Sequence, residues 1–184
     1  MNGADLQDVA NIVERAKNGD REAFSFLYTA YYTPVYRYVY FRVSNTALAE
    51  DIAQDVFLKA YASFGRYRES SGSPQAYFYT IARNAVIDYY RKKKMPIATE
   101  EQMDEAIDQG DDPELEAIKA EQIETIRSEI AKLPQGEQDA ITLRFIEGLE
   151  NNEIAAIMGK SEEAVRQLQS RGLRAIKKSI EHEQ

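Results

Sequence analysis

The sequence of 184 residues contains no cysteine and a single histidine, His182. A chain without cysteine can form no disulfide framework, no thiolate metal site and no cysteine nucleophile. It also has no apolar run of the roughly 20 residues that a membrane-spanning helix needs. Its polar and acidic start, from Met1 to Asp8, lacks the basic and apolar segments of a signal peptide. We therefore predict a cytoplasmic protein without membrane insertion, and nothing in the composition indicates a cofactor.

Strand-like alternation of apolar and polar residues is also scarce, and the apolar residues recur instead at spacings of three and four. This pattern predicts an all-α protein. Pro34 should kink the second helix or remove one of its hydrogen bonds, and Gly172 should cost the last helix about 1 kcal/mol relative to alanine. With capping residues and helix breakers as limits, the predicted helices cover about residues 5–17, 20–39, 46–64, 73–94, 112–132, 136–147, 151–158 and 161–178.

Charge is spread unevenly along the chain, whose formal net charge is −8. Residues 61–95 carry seven basic and two acidic side chains, whereas residues 96–132 carry three basic and twelve acidic ones. Because the local field and not the net charge attracts phosphate, the basic segment remains a candidate for nucleic-acid binding.

The acidic segment also marks a boundary between domains. Residues 96–112 combine many carboxylates with little apolar periodicity, which is typical of a flexible linker. We therefore predict two small helical domains, residues 1–95 and residues 113–184, joined by an acidic linker over residues 96–112.

The segment from Glu153 to Leu168 has the layout of a helix-turn-helix, with a short apolar helix, a glycine and a second helix capped by Ser161. Basic and polar side chains on a second helix of this kind suit base edges and phosphates in a DNA major groove. An ordinary helical corner with a solvated face has the same spacing, so the pattern leaves both interpretations open. The outward-facing residues are Glu163, Arg166, Gln167, Ser170, Arg171 and Arg174.

The fourth predicted helix and the loop before it interleave aromatic and basic residues. Aromatic rings can stack on unpaired bases while Arg and Lys follow the phosphate backbone, which is the usual chemistry of single-strand binding. The alternative is structural, because tyrosines at helical spacing, such as Tyr79 and Tyr89, can belong to the core and a basic cluster can be a solvated helix end. The candidate contacts are Arg66, Tyr67, Arg68, Tyr77, Arg83, Asn84, Arg91 and Lys92.

An acidic stripe at spacings of three and four lies on the third predicted helix, formed by Glu50, Asp51, Gln54 and Asp55. A carboxylate pair can bind a metal ion or act as acid and base. Neither histidine nor cysteine accompanies these residues, and a run of charge is usually a solvated face.

Together these segments resemble the sigma factors of bacterial RNA polymerase, specifically the extracytoplasmic-function (ECF) group, which keeps only the second and fourth conserved regions. The resemblance covers nearly the whole chain outside the linker. Phe24–Tyr38 is similar to the first conserved helix, and Ala49–Tyr61 closely matches the helix that docks on the clamp of the largest polymerase subunit. The resemblance implies an acidic docking face with Phe57 as its apolar anchor. The implied docking residues are Glu50, Asp51, Gln54, Asp55, Phe57 and Leu58.

Tyr77–Asn84, together with Asp88, resembles the family's segment that opens and reads the minus-ten promoter element. The first residue of this segment is usually tryptophan in the family. The loop at residues 65–72 corresponds to the family's pocket for a flipped base of the non-template strand. The implied minus-ten contacts are Arg66, Tyr67, Arg68, Tyr77, Arg83, Asn84, Asp88, Arg91 and Lys92.

Leu133–Ala155 resembles the start of the fourth region, which reads the minus-thirty-five element as duplex DNA. The chain departs from the family here, with Gln138 in place of a usual arginine and Glu163-Ala164 in place of a usual Gly-Thr. The implied minus-thirty-five contacts are Ser161, Glu163, Arg166, Gln167, Ser170, Arg171 and Arg174.

The resemblance implies a promoter-specificity subunit and not an enzyme, because the chemistry of transcription belongs to the polymerase. Its implied partners are core RNA polymerase (the clamp of the largest subunit and the flap of the second-largest), promoter DNA in single-stranded and duplex form, and an anti-sigma factor. The acidic linker would follow the RNA-exit path as a mimic of nucleic acid. Two other classes stay open: a stand-alone helix-turn-helix regulator, which would need no docking helix, and an enzyme, which would need titratable partners for the acidic stripe.

Overall fold

The computed structural model describes the backbone of residues 3–68, 73–93 and 113–182, and the side chains of residues 9–68, 73–93 and 121–181. Within these ranges the chain is helical and contains no strand. The all-α prediction is confirmed, and the helix ends agree with the predicted ones to within a few residues. The helices are α1 (Gly3–Lys17), α2 (Arg21–Val43), α3 (Thr46–Ser63), α4 (Pro74–Lys93), α5 (Pro113–Ala131), α6 (Gln135–Ile141), α7 (Asn151–Met158) and α8 (Glu162–His182).

Local capping explains where several helices begin. The Asp20 carboxylate accepts hydrogen bonds from the amides of Glu22 and Ala23 at the start of α2, as expected for an N-cap aspartate. Ser73 caps α4 in the same way, accepting from the amide of Ala76 at 3.2 Å. Helix α2 continues through Pro34, so the missing N–H removes a hydrogen bond without ending the helix.

The first domain is built by α1 to α4 around an aromatic core. The rings of Phe57 and Phe78 stack with their centroids 4.9 Å apart, and Phe24 meets Phe64 edge to face at 5.6 Å. A short 3-10 turn, Phe64–Arg66, follows α3 and leads toward α4.

The second domain packs α6, α7 and α8 around a smaller core, with α5 beside α8. A π-helical turn, Thr142–Ile146, continues α6. The buried Gln138 side chain donates to the carbonyl oxygens of Ala131 and Leu133, at 3.1 and 2.7 Å. Gln138 therefore satisfies carbonyls at the end of α5 and just beyond it, which gives a structural role to one departure from the family pattern.

The two domains pack against each other, with α4 on α7 and α2 on α5. Phe41 of the first domain lies in one apolar cluster with Ile130, Leu133 and Ile141 of the second. The predicted linker, residues 96–112, lies outside the described residues. None of the helices that the structure describes is both long and apolar enough to cross a membrane.

Candidate functional site

The acidic stripe of α3 is an exposed surface. Asn45 caps α3 by accepting a hydrogen bond from the amide of Leu48 at 2.8 Å. The acidic residues follow about one helical turn later, and their side chains are exposed to solvent. Asp55 lies 3.9 Å from the ammonium of Lys59, a loose surface pair. In the described residues, no group of three or more histidine, cysteine, aspartate and glutamate side chains is placed to hold a metal ion.

Phe57 does not belong to that surface. It is only 3% exposed, and its ring meets Tyr28, Tyr32 and Phe78 in the core. Phe57 is therefore not available as an exposed docking anchor in this conformation, and its role in docking stays a prediction. One residue advances a helix by about 100°, and Leu58, which is 68% exposed, is the apolar side chain beside the acidic stripe.

A row of tyrosines on α2 lies next to the acidic stripe. Neighbouring rings stack at centroid distances of 5.0, 6.4 and 6.2 Å. Burial raises the pKa of Tyr36, and the nearby carboxylate of Glu50 adds to the effect. This row was not predicted from the sequence, although its spacing of four residues was visible. The row consists of Tyr28, Tyr32, Tyr36 and Tyr40.

The predicted minus-ten residues divide into two groups. One group lies on the exposed side of α4, in the 3-10 turn before it or just after that turn, and Asp88 in this group pairs with Arg91 at 3.1 Å. The loop residues 69–72 lie outside the described residues. The exposed group consists of Arg66, Arg68, Asn84, Asp88, Arg91 and Lys92.

The second group is buried or engaged. Tyr67 is buried and its ring stacks on Phe64 at 5.3 Å, so it is not open to a base in this conformation, and its minus-ten contact stays a prediction. Tyr77 is half-buried, and its hydroxyl lies 2.7 Å from the hydroxyl oxygen of Ser63. Both rings contact Phe64 and each other, with Tyr67 and Tyr77 centroids 5.4 Å apart, so both belong to the aromatic core.

Arg83 is engaged with the second domain. Its Nε donates to Oδ2 of Asp139 at 2.8 Å. The other oxygen of Asp139 accepts from the Tyr38 hydroxyl at 2.8 Å and from Nε of Arg42 at 2.9 Å. Asp139 is 1% exposed and the Arg42 side chain is fully buried, so this is an internal ion pair that joins α2, α4 and α6.

A second carboxylate repeats this arrangement nearby. Glu147 accepts two hydrogen bonds from Arg37, at 2.8 and 2.7 Å, and one from the Tyr79 hydroxyl at 2.7 Å. Burial, together with the adjacent Glu147, raises the pKa of Tyr79. Neither carboxylate was predicted as a site residue from the sequence. A charged residue at a core-facing helical position, such as Arg42, was the available signal.

Helices α7 and α8 form the predicted helix-turn-helix. Gly159 ends α7 in the left-handed conformation at φ +61°, and the Ser161 hydroxyl accepts from the amide of Ala164 at 3.2 Å. Ile154 and Val165 are fully buried in the corner between the helices. Every predicted outward residue is exposed: Ser161, Glu163, Arg166, Gln167, Ser170, Arg171 and Arg174.

Comparison with known proteins identifies the two domains. Residues 27–95 match the family model of sigma-70 region 2, and residues 130–178 match that of sigma-70 region 4. The chain is 34% identical to the ECF RNA polymerase sigma factor BldN of Streptomyces coelicolor, over 94% of this chain and 66% of that protein. It is 32% identical to the RNA polymerase sigma factor YlaC of Bacillus subtilis, over 87% of this chain and 93% of that one.

The fold agrees with these matches. The sigma factor RpoE of Bartonella quintana, in its co-crystal structure with the anti-sigma factor NepR, superposes with a TM-score of 0.68 at 18% identity. That superposition covers 86% of this chain and 96% of the other. With both conserved regions matched in their expected order, the chain belongs to the sigma-70 family of RNA polymerase sigma factors, in its extracytoplasmic-function group.

Proposed function

We propose that this sigma factor docks on core RNA polymerase through α3 and gives the polymerase two DNA contacts, one from each domain. The observation that carries the proposal is the exposed acidic face of α3 in the same chain as a helix-turn-helix. A stand-alone regulator would need the helix-turn-helix alone. The protein acts in the cytoplasm, where the polymerase is, and the polymerase performs the chemistry. Residues 1–95 form the first domain, 96–112 the linker and 113–184 the second.

The docking contact is electrostatic at its rim and apolar at Leu58. Exposed carboxylates at Glu50, Asp51 and Asp55 suit a basic partner surface, and complementary charge of this kind speeds association and fixes orientation. We assign this contact to the clamp of the largest subunit. The tyrosine row of α2 extends the surface on its other side.

The DNA contacts differ in kind. The exposed residues of α4, including Asn84, Arg91 and Lys92, suit the separated strand of the minus-ten element, where backbone charge and stacking provide the affinity. The exposed face of α8, with Arg166 and Arg171, suits the major groove of the minus-thirty-five duplex.

Two protein partners fit the second domain. An apolar cavity of about 280 Å³ opens between α5, the π-helical turn and α8. Exposed apolar residues around it, Ile126, Phe145, Leu173 and Ile180, form a surface that a monomeric protein does not usually leave uncovered. We assign this surface to the flap of the second-largest polymerase subunit, and we propose an anti-sigma factor as the partner that keeps the free protein silent.

Charge reversal on α3 tests the proposal. Asp55→Arg should abolish co-purification with core polymerase, because a basic partner surface would then meet a like charge. The helix content should not change, since the Asp55 side chain is 66% exposed. The matched control is Glu14→Arg, which reverses a carboxylate that is 63% exposed on α1, away from both assigned polymerase contacts. Equal recovery of polymerase by the Asp55 variant and the control would overturn the docking assignment.

A further inference from the structure

The surface where the first domain meets the second is rich in donors. Three guanidinium groups, those of Arg37, Arg42 and Arg83, and two phenol hydroxyls, those of Tyr38 and Tyr79, all donate to carboxylate oxygens. We call these five residues the donor surface. They lie on α2 and α4 of the first domain, and the acceptors, Asp139 and Glu147, both lie in the second.

The geometry is that of an anion site. Arg37 donates two parallel hydrogen bonds to Glu147, at 2.8 and 2.7 Å. Guanidinium groups bind both carboxylates and phosphates in this bidentate arrangement. The Asp139 carboxylate lies between Arg42 and Arg83, with Nε to oxygen distances of 2.9 and 2.8 Å. The non-bridging oxygens of a phosphodiester accept the same donors.

The two carboxylates do not use the whole donor capacity of this surface. Nη1 and Nη2 of Arg42 are buried and have no hydrogen-bond partner. A buried guanidinium with unmatched donors is costly, because each donor has given up water without a replacement. The contact between the domains therefore satisfies the donor surface only in part, and a strand that brings several phosphates could satisfy it more fully.

The donor surface is also continuous with the residues assigned to the minus-ten strand. Arg83 belongs to both, and its neighbour Asn84 is exposed on the same helix. Because α2 packs against α4, Arg37 and Arg42 extend that surface across to α2. A DNA strand that followed α4 would reach them with its backbone.

We propose that Arg37 and Arg42 form, with Arg83, a phosphate-binding surface for the promoter strand, and that Asp139 and Glu147 occupy it when the two domains are closed. This inference rests on the proposed function for the identity of the strand. DNA and the second domain compete for the same donors, so the closed form binds single strands weakly and domain separation uncovers the site.

Removing the competing charges tests the inference in the full-length chain. The double variant Asp139→Asn and Glu147→Gln keeps the shape of both side chains but weakens the closed form, since breaking a buried ion pair on one side is strongly destabilising. Its affinity for a fluorescently labelled single-stranded oligonucleotide should rise roughly tenfold or more. The control, Glu137→Gln with Glu181→Gln, removes the same net charge from α6 and α8 without touching the donor surface.

Removing the proposed contacts in that opened variant should reverse the gain. Adding Arg37→Gln and Arg42→Gln should return the affinity to the wild-type level or below it. The slope of log affinity against log salt should fall by about 0.7 for each single-strand phosphate that the variant no longer neutralises. Arg21→Gln is the matched control, because Arg21 is an exposed arginine at the opposite end of α2. If the Arg42→Gln variant loses helix content, the test uses Arg37→Gln alone, because the Arg37 side chain is already 47% exposed.

The inference is overturned if the Asp139→Asn and Glu147→Gln variant binds the oligonucleotide no better than its charge-matched control. It is also overturned if adding Arg37→Gln and Arg42→Gln leaves the affinity and the salt slope unaltered. Promoter-directed initiation by the wild-type protein with core polymerase is measured in parallel. If initiation is normal and either binding result is negative, the proposal of a phosphate-binding surface is rejected and the proposed function stands. If the wild-type protein does not direct initiation with core polymerase, the proposed function itself is rejected.

Discussion

Gly172 lies inside α8, where that helix packs against Ile141 of α6 and against Leu133. A Cβ atom built at this position would lie 2.9 Å from Cγ1 of Ile141 and 3.3 Å from Cδ1 of Leu133, both buried. From the sequence, Gly172 was interpreted only as a weak helix former. The structure corrects that interpretation, because the glycine permits a close approach between helices.

We expect Gly172→Ala to destabilise the protein by up to about 2 kcal/mol, although alanine is the better helix former. Overpacking typically costs about 1–3 kcal/mol, which exceeds the gain of about 1 kcal/mol in helix propensity. Urea unfolding followed by circular dichroism measures the change.

Gly136 on α6 supplies the matched control. A Cβ atom there would lie 3.6 Å from the nearest atom of Leu168, an ordinary contact. Gly136→Ala should therefore stabilise the protein by about 0.5–1 kcal/mol. If both alanine variants were stabilised alike, close approach would not explain the glycine in α8.

At the scale of elements, α8 presents two faces with different tasks. Val165 is buried against α7, while Arg166 and Arg171 are exposed. Arg166 lies 3.7 Å from Glu162 and 3.6 Å from Glu163, loose surface pairs that a phosphate or a base edge can replace at little cost. The second domain can therefore contact duplex DNA without rearranging its own core.

We predict that Arg166→Ala with Arg171→Ala weakens binding of the polymerase complex to duplex promoter DNA, by roughly tenfold for each base that is no longer bound. A pre-melted bubble over the minus-ten element should not restore this binding. Gel-shift assays on both templates measure it, with Lys177→Ala and Lys178→Ala as the charge-matched control.

The single-strand contact should behave differently. Asn84→Ala should impair strand opening, and the bubble template should recover the part of the defect that is due to melting. Asn84 is the better probe than Arg83, because Arg83 also pairs with Asp139. Equal rescue of the Asn84 variant and the Arg166 and Arg171 double variant would contradict the division of labour between α4 and α8.

These elements could be predicted because their signals are local. Helix limits follow from spacings of three and four and from caps such as Asp20 and Ser161, which depend only on near neighbours. The contact between Arg42 and Asp139 joins positions 97 residues apart. No local pattern encodes that pairing. Phe57 and Leu58 illustrate a finer limit, since adjacent residues on a helix face different surroundings and the spacing alone did not decide which one is buried.

At the scale of the whole molecule, the interface between the domains contains two buried tyrosine hydroxyls. Burial, together with Asp139, raises the pKa of Tyr38 well above its ordinary value, and burial with Glu147 raises the pKa of Tyr79 in the same way. Both phenols donate to these carboxylates, and Arg37 and Arg42 lie beside them. The closed protein therefore holds these protons more tightly than the unfolded chain does.

We predict that stability falls as pH rises above about 10, the ordinary pKa of tyrosine. The unfolded chain then releases protons that the folded protein retains. Each of the two tyrosines therefore lowers the free energy of unfolding by up to about 1.4 kcal/mol per pH unit, until the pH reaches its pKa in the folded protein. Below that pH these two groups contribute no pH dependence. Urea midpoints measured from about pH 9 to about pH 11.5, on either side of that pKa, give the slope.

Replacing the two tyrosines with phenylalanine should flatten this slope while lowering stability at neutral pH, because each carboxylate loses a donor. Tyr61→Phe, a change at a residue that is 46% exposed, is the control. An unchanged slope in the Tyr38 and Tyr79 variants would show that these hydroxyls are not protonated donors in the closed protein.

The contact made by Asp139 and Glu147 is intramolecular, and its strength therefore depends on effective concentration. Two modules on one short tether meet each other at an effective concentration in the millimolar range. A dissolved competitor at micromolar concentration must then bind the donor surface about a thousandfold more tightly than the second domain does to displace it by half. Core polymerase could remove that advantage without touching the arginines, by holding the two domains apart at fixed positions. The promoter strand would then compete only with water and salt.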